Sequence, residues 1–360
     1  MVTHPIKAFP HPKLQVQRFR IVIAAGAEGL VLPAYSGSTL RGALGHALRD
    51  IACTAGKAQV CSGCFYQMIC PVTMLFNPLV PDDRKGLFLK GQEIPAPFVL
   101  RPYTQGKSHY QRDETFEVEM TLFGKAMPFA PYLLSAFARS LERGLGKGLR
   151  SARVVEASVV NPFTKGSQSI YEGGQWNLAT KLYLSAQDVK ERVKKLLEYS
   201  TSTVQSHSST HKKKEATTFI KITFKTPLRL KADKRLQDKL SATLLFRGLL
   251  RRLSVIAAYY GEQLWKIDFA KYIKKAEALQ LREEAYTWTD WERYSSRQNA
   301  KMKLGGLMGY LILEGESDWI EELLPILLWG QLIHLGKATS FGLGDLEIEV
   351  FRTLAHSHEM

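Results

Sequence analysis

The sequence has no long apolar run and little negative charge. None of its stretches approaches the roughly 20 consecutive apolar residues that a membrane-spanning helix requires, which argues against a membrane protein. Residues 1–20 contain neither an apolar core nor a cleavage site, so no secretory signal is expected there. We therefore expect a cytoplasmic globular protein, and its 360 residues suggest two domains, each long enough to bury a core.

Positive charge dominates the ionisable residues. The 49 Lys and Arg outnumber the 34 Asp and Glu, which gives a net charge of +15. Such an excess predicts a polyanionic partner, with nucleic acid as the first candidate and an anionic membrane surface as the second. A basic surface that only keeps the protein soluble is the alternative.

Cysteine is rare and unevenly placed. All four cysteines fall within residues 53–70, at Cys53, Cys61, Cys64 and Cys70. A Cys-x2-Cys pair can grip one metal ion from a tight turn, and the other two thiolates could complete a tetrahedral site. This clustering predicts one structural zinc ion, with an iron–sulfur cluster or free thiols as the alternatives. Disulfides are not expected in a cytoplasmic chain.

Hydrophobic periodicity predicts the same order of elements in both halves of the chain. In the first half, strands are predicted at residues 14–24, 97–101, 116–123 and 153–160, and helices at 40–52 and 131–143. In the second half, strands are predicted at 219–224, 284–294, 307–313 and 343–351, and helices at 239–260 and 318–335. The order β-α-β-β-α-β in each half predicts an α+β fold of two tandem ferredoxin-like domains.

The predicted boundaries follow from this order. The first domain spans residues 1–186 and carries a cysteine-bearing insertion at 53–110. An amphipathic helix and a polar, Ser/Thr-rich linker occupy 187–215, the second domain spans 216–352, and 353–360 form a tail. Two short echoes support an internal duplication. LRGAL at 40–44 and FRGLL at 246–250 fall in equivalent helices, and GLGKG at 144–148 and GKATSFGLG at 336–344 each follow the second helix of their half.

The strongest local motif, which we call the Gly-rich loop, is GKATSFGLG at residues 336–344, between the last predicted helix and the last predicted strand. Glycines let a backbone approach a ligand closely, and lysine and hydroxyl side chains donate to phosphate oxygens. A helix C-cap and turn would need only one glycine, whereas this loop has three. The residues predicted to bind phosphate are Gly336, Lys337, Thr339, Ser340, Gly342 and Gly344.

The Gly-rich loop, the paired halves and the segment YSGSTLRGALGHAL (residues 35–48) together resemble the RAMP superfamily of CRISPR-associated proteins. Residues 61–78 and 291–298 are similar to one branch of its precursor-RNA processing endoribonucleases, which carries a cysteine-bearing insertion. The resemblance implies binding of an RNA hairpin and metal-independent cleavage that leaves a 2′,3′-cyclic phosphate and a 5′-hydroxyl. The alternatives are a non-catalytic RAMP subunit that binds guide RNA in an interference complex, and a generic basic RNA chaperone. Other subunits of a CRISPR effector complex are candidate partners beside RNA.

In that family the general base is commonly a histidine on or near the first helix, and the match here is His46. His46 lies about 200° around the helix from Leu44 and Leu48, so it faces away from the apolar stripe. An imidazole ordinarily titrates near neutral pH and could take the proton from a 2′-hydroxyl. A solvated surface histidine and a ligand of the cysteine-bound metal are the other interpretations. His334, two residues before the Gly-rich loop, is the second choice, although a histidine in the last turn of a helix also pairs with the helix dipole.

Cleavage by a 2′-oxygen also needs cations beside the phosphate. Arg49 on the first helix is the candidate catalytic cation, and Tyr35, just before that helix, is a candidate for proton transfer. The other basic side chains predicted to contact RNA are Arg41, Arg247, Arg251, Arg252, Arg297, Lys301 and Lys303. For the last three, a solvated loop is the alternative.

Overall fold

The structure, a computed structural model, describes residues 9–55, 61–80, 94–104, 106–146, 148–205, 217–295 and 300–353. The first half forms β1 (Val16–Ala25), β2 (Leu30–Val31), α1 (Gly37–Ala52), α2 (Pro71–Phe76), β3 (Phe98–Tyr103), β4 (His109–Tyr110), β5 (Thr115–Phe123), α3 (Ala130–Arg143), β6 (Ala152–Asn161), β7 (Gly166–Glu172) and β8 (Gln175–Trp176).

The first sheet is antiparallel and has the strand order β3-β5-β1-β6-β7-β8. The four core strands of the predicted unit follow one another along the chain as β1, β3, β5 and β6. In the sheet they lie side by side as β3, β5, β1 and β6, which is the strand order of a ferredoxin-like unit. Alternate residues of β1, such as Ile21 and Ile23, face a core that also contains Leu40 and Leu44 of α1. The sequence did not predict β7, because its residues are mostly exposed and polar and carry no apolar alternation.

The second half forms α4 (Ala186–Gln205), β9 (Thr217–Leu228), β10 (Lys231–Ala232), β11 (Arg235–Leu236), α5 (Ala242–Tyr260), α6 (Phe269–Glu277), β12 (Gln280–Thr289), β13 (Glu292–Ser295), β14 (Ala300–Lys303), β15 (Gly306–Gly315), α7 (Ser317–Ile333) and β16 (Leu346–Thr353). Its main sheet is antiparallel in the order β12-β15-β9-β16. This order repeats that of the first sheet, which confirms the prediction of two tandem ferredoxin-like folds.

Several element boundaries differ from the predicted ones for local reasons. The helix predicted to begin at residue 239 begins at Ala242, because the Ser241 side chain accepts a hydrogen bond from the Leu244 amide at 3.1 Å and caps it. The strand predicted over 284–294 is interrupted, since β12 ends at Thr289 and β13 pairs with β14 instead. The short helix α6 was not predicted at all.

Helix α4 belongs to the second core. Its apolar residues Val189, Val193 and Leu196 are buried in the same cluster as the strands of the second sheet. The helix runs to Gln205, so it covers the first residues of the segment that the sequence assigned to a polar linker. The remainder of that linker, residues 206–215, lies outside the described residues.

The second domain covers the outer face of the first sheet. Phe98 and Leu100 of β3 point into the first core, whereas Val99 between them is buried in the second core together with Val16 of β1. Helix α7 lies at this junction and is apolar and buried on nearly all sides. Within the described residues, no helix combines the length and apolar content that crossing a bilayer would require.

Candidate nucleic-acid interface

The Gly-rich loop connects α7 to β16 and packs against the first domain. Gly342 has a φ of 87°, and a Cβ on it would lie 2.7 Å from the carbonyl oxygen of Leu100. Only glycine combines this left-handed backbone with so close an approach. Among the predicted phosphate ligands, Thr339, Gly342 and Gly344 are buried, Gly336 and Ser340 are partly exposed, and Lys337 is exposed.

Helix α1 begins directly against this loop. Gly37, its first residue, is so close that a Cβ there would lie 2.0 Å from the carbonyl oxygen of Phe341. The hydroxyl of Tyr35 donates to the same oxygen at 3.0 Å. The guanidinium carbon of Arg41, one turn further along, lies 5.2 Å from the centre of the Phe341 ring. The start of α1 and the Gly-rich loop therefore form one surface to which both domains contribute.

Thr226 of β9 fixes the end of the loop from within the second domain. Its hydroxyl donates to the carbonyl oxygen of Gly342 at 2.8 Å and accepts from the Asp345 amide at 2.9 Å. Because Thr226 is buried, both bonds are shielded from water. The loop is thus held by its own domain on one side and by α1 and β3 on the other.

A group of buried charges, which we call the interdomain charge cluster, joins the domains behind the loop. Arg101 of β3 places Nε 2.8 Å from Oδ2 of Asp345, and the two side chains are 9% and 13% exposed. Arg18 of β1 places Nη1 3.5 Å from Oε2 of Glu119, and its Nη2 donates to the carbonyl oxygen of Gln331 on α7 at 3.0 Å. Burial raises the pKa of Asp345, and the two arginines oppose this rise. These contacts fix the position of the second domain on the outer face of the first sheet.

His334, the second candidate for the general base, is buried beside this cluster and is 2% exposed. Its Nδ1 lies 3.1 Å from the carbonyl oxygen of Leu343, and its Nε2 lies 3.6 Å from Asp345. Burial, together with Arg101 and Arg18, holds the pKa of His334 well below the ordinary 6.5. The ring is therefore neutral at pH 7 and shielded from RNA, which leaves His46 as the candidate general base.

Arg252, predicted to contact RNA, points instead at the end of α7. Its Nε donates to the carbonyl oxygens of Ile333 and His334 at 3.0 and 2.7 Å, so it satisfies groups that the helix end leaves open. Arg247 and Arg251 on the same helix are exposed. Lys301 and Lys303 lie in β14, and Arg297 lies outside the described residues.

Tyr35 is placed to hold the Gly-rich loop through a hydrogen bond. Burial is the main reason that the pKa of its phenol is raised far above the ordinary value of 10. Its ring lies against Trp291, with 4.6 Å between the ring centres, and its proton points at the Phe341 carbonyl oxygen. A phenol bound in this way stays protonated at neutral pH and links α1 to the loop.

His46 is exposed on α1, on the outward face that its spacing predicted. With a rise of about 1.5 Å per residue, it lies about 14 Å along the helix from Gly37, where the loop makes contact. Arg49, one turn beyond His46, is partly buried and places Nη2 3.5 Å from the sulfur of Cys61. The exposed side of α1 thus leads from the Gly-rich loop past His46 towards the cysteine-bearing insertion.

The four cysteines lie on separate parts of this insertion. Cys53 follows α1, Cys70 precedes α2, and Cys61 and Cys64 lie in the turn between them. All four are partly exposed free thiols. Among the residues that the structure describes, no three His, Cys, Asp or Glu side chains come together as metal ligands. The described arrangement therefore does not form the tetrahedral site, and the zinc ion stays a prediction of the sequence.

The residues that join the two domains were not predicted. Arg101 and Asp345 are isolated charges in the sequence, and no short-range pattern pairs residues 244 positions apart. One local signal was available: Asp345 is an acidic residue that directly follows the Gly-rich loop. Thr226 carries no comparable signal.

Comparisons with known families match both halves of the chain. A family described as an N-terminal domain matches residues 14–183, and the CRISPR-associated endoribonuclease Cas6 family matches residues 222–346. No curated protein shows significant similarity to the sequence.

Solved structures show the same fold at low sequence identity. A partial Cas6-RT-Cas1–Cas2 complex matches with a TM-score of 0.56 at 12% identity, over 99% of this chain and 49% of that one. The Cas6-RT-Cas1–Cas2 complex matches equally well, over 30% of its own chain, so this chain spans half or less of these relatives. A Cas6 product complex from Thermus thermophilus matches with a TM-score of 0.50 at 14% identity, over 94% of this chain and 99% of that one.

The chain has the repeated ferredoxin-like fold that these structures share. Its residues 222–346 are similar to the CRISPR-associated endoribonuclease Cas6 family. This similarity lies in the second domain, which carries the Gly-rich loop.

Proposed function

We propose that this protein is an endoribonuclease that processes precursor CRISPR RNA by binding and cutting its repeat hairpin. The observation that carries the proposal is the junction of the Gly-rich loop with the start of α1, within a chain whose second domain matches the Cas6 endoribonuclease family. An exposed lysine and a partly exposed serine on the loop suit contacts to RNA phosphates.

In the proposed reaction the RNA supplies its own nucleophile. The 2′-oxygen attacks the adjacent phosphorus, a new O–P bond forms, and the P–O bond to the 5′-oxygen of the next nucleotide breaks. His46 takes the proton from the 2′-hydroxyl, and a proton passes to the departing 5′-oxygen. The products are a 2′,3′-cyclic phosphate and a 5′-hydroxyl, and no step calls for a metal-bound water.

Cations beside the phosphate would stabilise the charge that develops during attack. Arg41 lies at the junction, and Arg49 lies one turn from His46 on α1. Lys337 extends from the loop into solvent. We assign Lys337 and Ser340 to RNA positioning and the α1 arginines to the reacting phosphate. Association with further CRISPR proteins, as in the Cas6-RT-Cas1–Cas2 complexes, is a separate part of the proposal.

The proposal is tested with a labelled repeat-hairpin RNA in EDTA, beside a substrate with a 2′-deoxy sugar at the cut. We expect one discrete cut that persists in EDTA, disappears with the deoxy sugar and leaves a cyclic phosphate. His46→Ala should abolish cleavage while RNA binding remains. His109→Ala, which removes another exposed histidine of the first domain, should cleave normally. Tight binding of the hairpin without any cut would contradict the nuclease and favour a guide-RNA subunit.

A further inference from the structure

A small hairpin beside the Gly-rich loop carries an unexplained concentration of positive charge. Strands β10 and β11 pair through Lys231 with Leu236 and Ala232 with Arg235, so only two residues form the turn. These two, Asp233 and Lys234, have φ values of 50° and 64°. Two consecutive left-handed residues form the tight turn of a two-residue hairpin, and asparagine or glycine usually occupies it. We call residues 231–236 the basic hairpin.

The basic hairpin is held rigidly from its base. The side-chain Nε2 of Gln237 donates to the carbonyl oxygens of Ala232 and Arg235 at 3.0 and 3.2 Å. The backbone amide of Gln237 donates to the carbonyl oxygen of Leu230 at 3.0 Å. Leu230 is buried in the second core. A two-stranded hairpin of this size is marginal by itself, so these bonds keep it in one position.

Its charged side chains extend into solvent. Lys231, Lys234 and Arg235 are all exposed, and the nearby acids Asp233 and Asp238 are exposed as well. No ion pair between described residues involves the three cations. The lysines on the outer face of the second sheet do have acidic partners. The Nζ of Lys221 lies 3.4 Å from Oε2 of Glu349, and the Nζ of Lys225 lies 3.2 Å from Oε2 of Glu347. That sheet face is therefore neutralised, whereas the basic hairpin keeps its charge available.

The basic hairpin adjoins the Gly-rich loop. The amide of Lys337 donates to the carbonyl oxygen of Arg229 at 2.9 Å, two residues before the hairpin begins. A Cβ on Gly336 would lie 2.4 Å from that same oxygen. The exposed lysine of the loop and the first lysine of the hairpin thus leave the protein from two neighbouring, hydrogen-bonded segments.

Helix α5 extends this positive surface on the other side. A Cβ on Gly248 would lie 3.1 Å from a methyl group of Leu230 and 3.2 Å from one of Leu335, so α5 passes beside the base of the hairpin and the start of the loop. Arg247 and Arg251 are four residues apart, and both are exposed. At 100° per residue they lie within about 40° of each other and flank this contact.

We propose that the basic hairpin is an additional RNA-backbone contact, through Lys231, Lys234 and Arg235, and forms one phosphate-binding track with Lys337 and the two arginines of α5. This inference rests on the proposed function, since it names where the RNA continues beyond the Gly-rich loop. The contacts are to phosphates and carry no base sequence, because lysine and arginine on an exposed turn meet the backbone first. The RNA accordingly passes over the hairpin rather than across the outer face of the second sheet.

The test compares two variants with the same loss of charge. In the first, Lys231, Lys234 and Arg235 are each replaced by Gln. In the control, the exposed lysines of α4, Lys190, Lys194 and Lys195, are each replaced by Gln. Binding of the repeat-hairpin RNA is measured between low and moderate salt for both variants and for the wild type. Each lost phosphate contact lowers the slope of log K against log salt by about 0.7 to 0.9.

We expect the hairpin variant to lose about 2 from that slope and to bind RNA at least tenfold more weakly, while the control retains the wild-type slope. Circular dichroism and the melting temperature should be unchanged in both. If the wild type binds and cuts the repeat RNA but both variants show the same slope, the hairpin proposal is wrong and the proposed function stands. If the wild type does not bind the RNA, both are overturned.

Discussion

Replacing Arg101 tests whether the interdomain charge cluster fixes the Gly-rich loop. In Arg101→Met the Asp345 carboxylate, 13% exposed and previously 2.8 Å from the guanidinium, loses its nearest cation. Removing one partner of a buried ion pair typically lowers stability by about 3–5 kcal/mol, because the other charge stays buried. The variant should lose about this amount in the free energy of unfolding.

The assay is denaturant unfolding at pH 7.5 followed by a double-mutant cycle. Adding Asp345→Asn to Arg101→Met should recover part of the lost stability, because no unpaired charge then remains. Arg20→Met is the matched control: Arg20 pairs with Glu117 on the same sheet, but their side chains are 49% and 37% exposed. Such an exposed pair contributes about 0–1 kcal/mol. If Arg101→Met is no more destabilising than Arg20→Met, the cluster does not join the domains as described.

Three further predictions concern neighbouring groups. Because the pKa of His334 is depressed, the unfolded chain binds a proton below pH 6.5 that the folded chain does not, so stability is lost as the pH falls. The free energy of unfolding should drop by up to about 1.4 kcal/mol per pH unit. The drop should be smaller in His334→Asn, which has no imidazole to protonate. Tyr35→Phe removes the hydroxyl that donates to the Phe341 carbonyl oxygen and should weaken RNA binding severalfold with cleavage retained. A hundredfold slower cut at unchanged binding would instead assign Tyr35 to proton transfer. Metal analysis should find about one zinc ion per chain, and the double variant Cys61→Ser, Cys64→Ser should lose it. A preparation that contains no zinc and keeps the same melting temperature would contradict the tetrathiolate site.

The fold could be predicted because the core strands and helices each bury one face. In β1 and α1 the apolar residues recur at periods of two and about 3.6, and the chain order of such elements then sets the ferredoxin-like topology. The hairpins and α6 escaped prediction because they bury few side chains. Ile51 continues the apolar spacing of Leu44 and Leu48 in the sequence, yet it is 37% exposed, because it lies in the last turn of α1, next to the cysteine-bearing insertion.

Two features of the candidate site carry a local signal in the sequence. The Gly-rich loop stands out by composition, and the outward direction of His46 follows from helical spacing alone. The burial of His334 could not be read in the same way, because the first domain covers the end of α7 only after the two halves dock. The partners of Arg252 likewise come from another helix, so its sequence neighbours Arg247 and Arg251 suggested a shared role that the fold does not support.

The proposed site is tested most directly by finding which residues lie beside the scissile phosphate. A repeat-hairpin RNA with 4-thiouridine on either side of the cut would be crosslinked to the 2′-deoxy-blocked complex, and the attached peptides identified by mass spectrometry. We expect crosslinks in α1 and in the Gly-rich loop, from the two domains at once. Crosslinks confined to the outer face of the second sheet, in β9 and β16, would contradict the proposed site.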